Sequence, residues 1–344
     1  MGIQTQFNKF HDNIKLTRED DAYKRARDRD DSITKAIKES FKKEGYSVTS
    51  DFIQGSFAIG TAINPLSGDH DIDRALVIDE EPAPTNPVTP KKTALKVLEE
   101  RGFKNARIKM PCVTADYASD NVHIDFPIYK STSTEHYLAE GKANSDEVHR
   151  KWSISDPKGL VDWVTDSRLY GDAADKKQFQ YRRLVRYMKR WRDHKFSANV
   201  CEKIYSIGLT VMMKQSFVIS INQDGFADDL SSLRCTIEKI LIAGYFRNMG
   251  NDRYKVSVPL PVAPWTDIFS GSSEDTGTQF RNKLVNMKDK LIEAEGLENV
   301  REQSKILNNL FGDDFEIPNP PSGSKKKSRA VYPTAGAVGT SQGA

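Results

Sequence analysis

An α+β fold, with a mixed sheet in the first half of the chain and helices in the second, is predicted by three observations. Between Tyr46 and Tyr129, short runs rich in β-formers alternate with turns and one helical stretch. From Asp156-Pro157 onward, apolar residues recur at helical spacing. After Phe315 the composition shifts to PNPPSGSKKKSRAVYPTAGAVGTSQGA, which cannot bury enough apolar area to order itself. The chain therefore divides into residues 1–155, a sheet lobe with an N-terminal helix; residues 156–317, a helical lobe; and residues 318–344, a disordered tail.

The elements follow in order. Ile33, Ile37 and Phe41 lie at helical spacing among dense charge, which predicts a long amphipathic helix over Thr17–Glu44, stopped by Gly45. A strand is expected over Tyr46–Ile53, broken by Gln54-Gly55-Ser56 before a second apolar run to Ala62. Asn64-Pro65-Leu66-Ser67-Gly68 reads as a turn. Strands over Ile72–Ile78, Val113–Tyr117 and Val122–Tyr129 enclose a helix at Pro90–Arg101. An acidic residue before proline starts a helix at Asp156-Pro157. Further helices are predicted at Lys176–His194, Ser206–Ile219, Ser231–Phe246, Thr276–Glu295 and Val300–Leu310.

Composition excludes several classes. The 344 residues include only Cys112, Cys201 and Cys235, without CxxC spacing, so neither a disulfide framework nor a zinc site is expected, and these side chains read as buried apolar fillers. No apolar h-region opens the sequence and no run suits a spanning helix, which predicts a soluble, cytoplasmic protein without a membrane partner. With 51 basic and 48 acidic residues the net charge is +3, too small to require a long nucleic acid partner. No GxxxxGK[ST] phosphate loop or GxSxG elbow is present. His70 beside Asp71 suggests a metal phosphohydrolase, but His11, His123, His136, His149 and His194 show no repeated ligand spacing and read as structural or exposed.

The chemistry concentrates in HDIDRALVI. In a strand alternate side chains share a face, so Asp71 and Asp73 point the same way and repel unless a cation lies between them. Asp125, in VHIDFPIY, supplies a third carboxylate from another strand, with Ile124 and Phe126 burying opposite it. Carboxylate oxygens with phosphate oxygens make a Mg²⁺ ligand set, and two ions would divide activation of a hydroxyl from stabilisation of a leaving pyrophosphate. Gly55-Ser56, at a turn upstream, offers backbone N–H groups and a hydroxyl to phosphate. For the basic segment Tyr181–Lys195 the plain reading is an amphipathic helix whose arginines are mostly solvated.

GSFAIGTAINPLSGDHDIDRALVI, with Asp125 on its own strand, resembles the nucleotidyltransferase core of the DNA polymerase β superfamily, and within it the bacterial CD-NTase (cGAS/DncV-like) enzymes. YRRLVRYMKRW, SIGLTVMM and FGDDF extend the resemblance from about Phe7 to Phe315. The resemblance implies a polymerase-β-like core plus helical lobe in a two-lobed cage, two Mg²⁺ ions on Asp71, Asp73 and Asp125, and triphosphate contacts from Gly55, Ser56, Lys189 and Ser206. Tyr205 precedes Ser206, where the related oligoadenylate synthetases commonly carry proline. It also implies ATP and other nucleoside triphosphates as substrates, a cyclic di- or trinucleotide product, and a downstream effector in antiphage (CBASS) defence. A HORMA-type or ubiquitin-transfer-like operon partner belongs to the same expectation, the latter acting at Ala344. The alternatives are a linear oligoadenylate synthetase, another nucleotidyltransferase, and a non-catalytic nucleotide or RNA sensor.

Overall fold

A computed structural model describes residues 2–66, 70–117, 122–166 and 174–320. The first half runs α1 (Ile3–Ile14), α2 (Asp21–Lys43), β1 (Val48–Ile53), α3 (Gly55–Ala58), β2 (His70–Asp79), α4 (Val88–Glu100), β3 (Arg107–Ile108), β4 (Val113–Tyr117), β5 (Val122–Phe126), β6 (Ile128–Ser131), β7 (His136–Glu140) and β8 (Lys151–Ser155). The second runs α5 (Pro157–Thr165), α6 (Ala174–Lys195), α7 (Ala198–Cys201), α8 (Ser206–Ser216), α9 (Asp229–Ile242), β9 (Phe246–Gly250), β10 (Arg253–Val256), α10 (Glu274–Glu295) and α11 (Val300–Phe311). This is the expected α+β architecture.

Eight strands form one mixed sheet built around β2. β1 pairs with β2 antiparallel on one side, while β5 and β6 pair with it in parallel on the other. The expected strand Val122–Tyr129 is divided because Pro127 has no N–H to give the ladder, although its carbonyl still accepts from Leu76 N at 3.0 Å. β4 then pairs with β5 and β7 with β6, both antiparallel.

Strand alternation sends Ile72, Leu76, Ile78, Ile124 and Phe126 to one face, where they pack with Ile33, Ile37 and Phe41 of α2 and Leu98 of α4. Arg74 points to that face too, and is only 3% exposed. It survives there because its Nε donates to Asp30 Oδ2 at 2.9 Å and its Nη1 to Asp51 Oδ2 at 2.8 Å. The network ties β2 to α2 and β1 immediately beside Asp73.

A second core gathers the later helices around Tyr187, Met188 and Trp191 of α6, with Leu209, Ile237, Phe280, Leu284 and Phe311. α1 joins this core through Phe7, Phe10 and Ile14, although it lies in the first 155 residues. The two cores thus do not separate at one point of the chain.

Local differences from expectation have local causes. Thr17–Asp20 is a turn rather than helix, since Asp20 Oδ2 accepts from Thr17 N at 2.6 Å and Thr17 Oγ1 at 2.7 Å. The helix expected over Ser231–Phe246 starts at Asp229, ends at Ile242, and yields Phe246 to the β9–β10 hairpin. Gln54-Gly55-Ser56 does end β1, but Gly55 opens a one-turn helix. Ser67 and Gly68 of the expected turn, and the tail beyond residue 320, lie outside the described residues. Cys112 is buried as expected, whereas Cys201 and Cys235 are partly exposed.

Candidate active site

β2 and β5 run in register with Asp73 opposite Asp125 and Asp71 opposite His123. Asp71, Asp73 and Asp125 consequently leave the sheet on the face opposite the α2 core. One carboxylate oxygen from each lies within 4.8 Å of the others. His123 itself turns to Asp116, with Nδ1 2.6 Å from Oδ1.

The surroundings of the cluster decide its chemistry. Asp71 still presents surface to the cleft, yet crowding by the protein and the charges of Asp73 and Asp125 hold its carboxyl well above the usual range. Burial and the neighbouring Asp125 raise Asp73 to about 6. Asp125 accepts a hydrogen bond from Thr114 Oγ1, and Lys109 Nζ stands 3.3 Å from both its carboxylate oxygens. Three hard oxygen donors with so little countercharge fit divalent cations such as Mg²⁺.

Gly55 is required where it stands. Its φ is +66°, and a Cβ there would lie 2.0 Å from Asp73 Oδ2. The turn carrying Gly55 and Ser56 is therefore packed directly against the carboxylate. Across the cleft, α6 brings Lys189 and α8 brings Ser206. Gly55, Ser56, Asp71, Asp73, Lys189 and Ser206 all line one cavity of about 370 Å³.

Lys189 is 5% exposed and its Nζ donates to Thr61 O at 3.0 Å. Burial, reinforced by Arg192 and Arg186, lowers its pKa to about 7. Ser206 Oγ accepts from Arg192 Nη1 at 2.7 Å, and the same nitrogen donates to Ile204 O at 3.0 Å. Arg192 and Asp193 also line the cavity. The sequence reading passed over Arg192, although its place three residues after Lys189 puts it on the same helical face. Lys109 and Thr114 carried no comparable signal, because their approach to Asp125 depends on strand pairing.

The arginines of α6 correct the expectation of a solvated face. Arg186 donates to Gly60 O at 2.7 Å and Ala62 O at 3.1 Å, and Arg190 to Asn64 O at 2.6 Å. Arg183 pairs with the buried Asp229 at 2.7 Å. The carbonyls of the segment after α3 need donors, and this helix supplies them.

Residues 1–167 match the family model described as the Second Messenger Oligonucleotide or Dinucleotide Synthetase domain. A cyclic GMP-AMP synthase of Escherichia albertii is 30% identical over 218 residues, which span 60% of this chain and 46% of that protein. The structure of the Bradyrhizobium diazoefficiens CD-NTase CdnG in complex with GTP superposes with a TM-score of 0.66 at 15% identity, covering 91% of this chain and 96% of that one. CdnC of E. coli MS115-1, solved as a complex with HORMA-deltaN, gives 0.63 at 13% identity over 91% and 98%. Both likenesses concern the fold alone and extend over 91% of this chain. The domain match takes in just under half of this chain, so with these likenesses of fold the chain is similar to the bacterial CD-NTase enzymes over its first half in sequence and over nearly its whole length in fold.

Proposed function

We propose that this protein is a Mg²⁺-dependent synthase that joins nucleoside triphosphates through phosphodiester bonds and closes the product into a cyclic di- or trinucleotide. The observation that carries this reading is the cluster of Asp71, Asp73 and Asp125 beside a cavity whose other wall holds Lys189 and Ser206. The match of residues 1–167 to the synthetase domain and the similarity to a cyclic GMP-AMP synthase support it.

Asp71 and Asp73 would hold two Mg²⁺ ions, with Asp125 completing the ligand set of the one nearer the acceptor. Bound there, Mg²⁺ supplies Lewis-acid activation of a hydroxyl and charge neutralisation of a triphosphate. The protein's own groups orient the reactants. Gly55 lets the backbone approach closely, Ser56 offers a hydroxyl, and Lys189 offers a cation already desolvated toward the triphosphate. The acceptor hydroxyl loses its proton as its oxygen bonds the α-phosphorus, and the bond to the β-phosphate breaks to release pyrophosphate. Ring closure repeats this step on the linear intermediate's own triphosphate, which an enclosed cleft favours by proximity.

On the same reading, the product would serve a downstream effector in CBASS defence. A HORMA-type protein is the operon partner suggested by the CdnC complex. A ubiquitin-transfer-like partner would act at Ala344, outside the described residues. Among the described residues no helix is long and apolar enough to cross a membrane.

The test is incubation of the purified chain with four labelled nucleoside triphosphates and Mg²⁺, then phosphatase treatment and mass analysis. Phosphatase-resistant product that disappears in Asp71→Asn/Asp73→Asn is expected. Only linear, phosphatase-sensitive product would overturn cyclisation, and nucleotide binding without pyrophosphate release, even with the operon partner added, would overturn synthesis.

A further inference from the structure

Behind the segment Phe57–Ala62, back to back with the nucleotide cavity, lies a second cavity of about 300 Å³. Leu16, Phe57 and Ala62 line both. Among the described residues, every charged one lining the second cavity is an arginine: Arg18, Arg182 and Arg186.

Among the described residues no carboxylate lines this cavity to balance their positive charge. Arg186 spends its guanidinium on neutral acceptors, the carbonyls of Gly60 and Ala62, with His11 Nε2 at 3.1 Å from Nη1. Burial and then the charge of Arg182 lower Arg186 to about 10. His11 brings no charge, since burial followed by Arg186 lowers it to about 4. Among the described residues, neither Arg182 nor Arg18 has a hydrogen-bond or ion-pair partner.

The backbone is nevertheless shaped around Arg182. Gly60 has φ +69°, and a Cβ there would lie 3.3 Å from both Cζ and Nε of Arg182. The guanidinium thus packs close to the backbone of Gly60, whose carbonyl Arg186 already holds. Two adjacent guanidinium groups, one fixed and one with all its donors unused, form a fork suited to an oxyanion.

We propose that the cavity framed by Arg18, Arg182 and Arg186 is a second ligand site, separate from the nucleotide cavity, for a small oxyanion bearing phosphoryl or carboxylate groups. It stands on this geometry and not on the chemistry assigned to the carboxylate cluster. Its ligand would press on the wall that also carries Thr61, the acceptor for Lys189.

Crystals of the full chain soaked in selenate locate the anion, and anomalous density within hydrogen-bonding distance of Arg182 and Arg186 is expected. Titration calorimetry with inorganic phosphate and, separately, citrate distinguishes the two ligand chemistries. Arg182→Gln should weaken the tighter anion about tenfold or more, the scale of one lost charge-assisted contact. Lys189→Gln, in the other cavity, should leave that affinity unchanged. Density confined to the Lys189 cavity, or equal affinity in wild type and Arg182→Gln, would overturn the proposal. Neither readout depends on catalysis, so the result stands whether or not the chain makes a cyclic product.

Discussion

Burial disfavours the Lys189 ammonium, and its ordinary pKa of 10.5 falls to about 7. Between those values the unfolded chain binds the proton that the folded protein has lost, so this residue's contribution to stability rises with pH from 7 toward 10.5. A bound triphosphate reverses the balance by favouring the ammonium. Above pH 7, binding must therefore take up a proton, and affinity should fall by up to about tenfold per pH unit from this group. Calorimetric titration with a non-hydrolysable ATP analogue between pH 7 and 9 checks this. Lys189→Arg, which stays protonated, should bind with a flatter profile; an equally steep profile would assign the proton to another group.

The junction between β1 and α3, packed against Asp73 of β2, works only with glycine at position 55. Gly55→Ala would place its methyl carbon 2.0 Å from Asp73 Oδ2 in a backbone conformation that L-residues disfavour. Either Asp73 or the turn must move, and both belong to the same cavity. Pyrophosphate release should drop by about two orders of magnitude, because displacements near 1 Å cost that much in a positioned site. Strain should lower stability by only about 1–2 kcal/mol, so the variant remains folded at 25 °C. Activity within a few-fold of wild type would show that Gly55 does not set the position of Asp73.

At the scale of the molecule, α1 and α6 connect what the order of the chain separates. Phe10 is fully buried, with ring centroids 5.0 Å from Tyr187, 4.9 Å from Phe311 and 5.2 Å from Phe315. Tyr187 belongs to the same helix as Lys189, and its OH donates to Phe7 O at 3.1 Å. Phe10→Ala should cost about 3–5 kcal/mol of unfolding free energy, measured by denaturant titration. A loss below about 1 kcal/mol would mean that α1 merely rests on the helical core.

The alternation in HDIDRALVI was sufficient to place Asp71 and Asp73 on one face, because side-chain direction along a strand is set by local backbone geometry. Helical spacing likewise made α2, α6, α8, α10 and α11 legible. Short strands such as β3 and β7–β10 were not, since β-formation depends on the neighbour each strand meets. Asp125 was singled out from its own strand, but only the parallel pairing of β2 with β5 sets it opposite Asp73. The same limit hid Lys109 and Thr114 beside Asp125, and the use of Arg186 and Arg190 as donors to the segment after α3. Sequence by itself determined which residues could carry acid, base and phosphate chemistry, and which way nearby ones faced. Tertiary structure decided which of them meet, because those contacts join residues far apart in the chain, where neither propensity nor periodicity reaches.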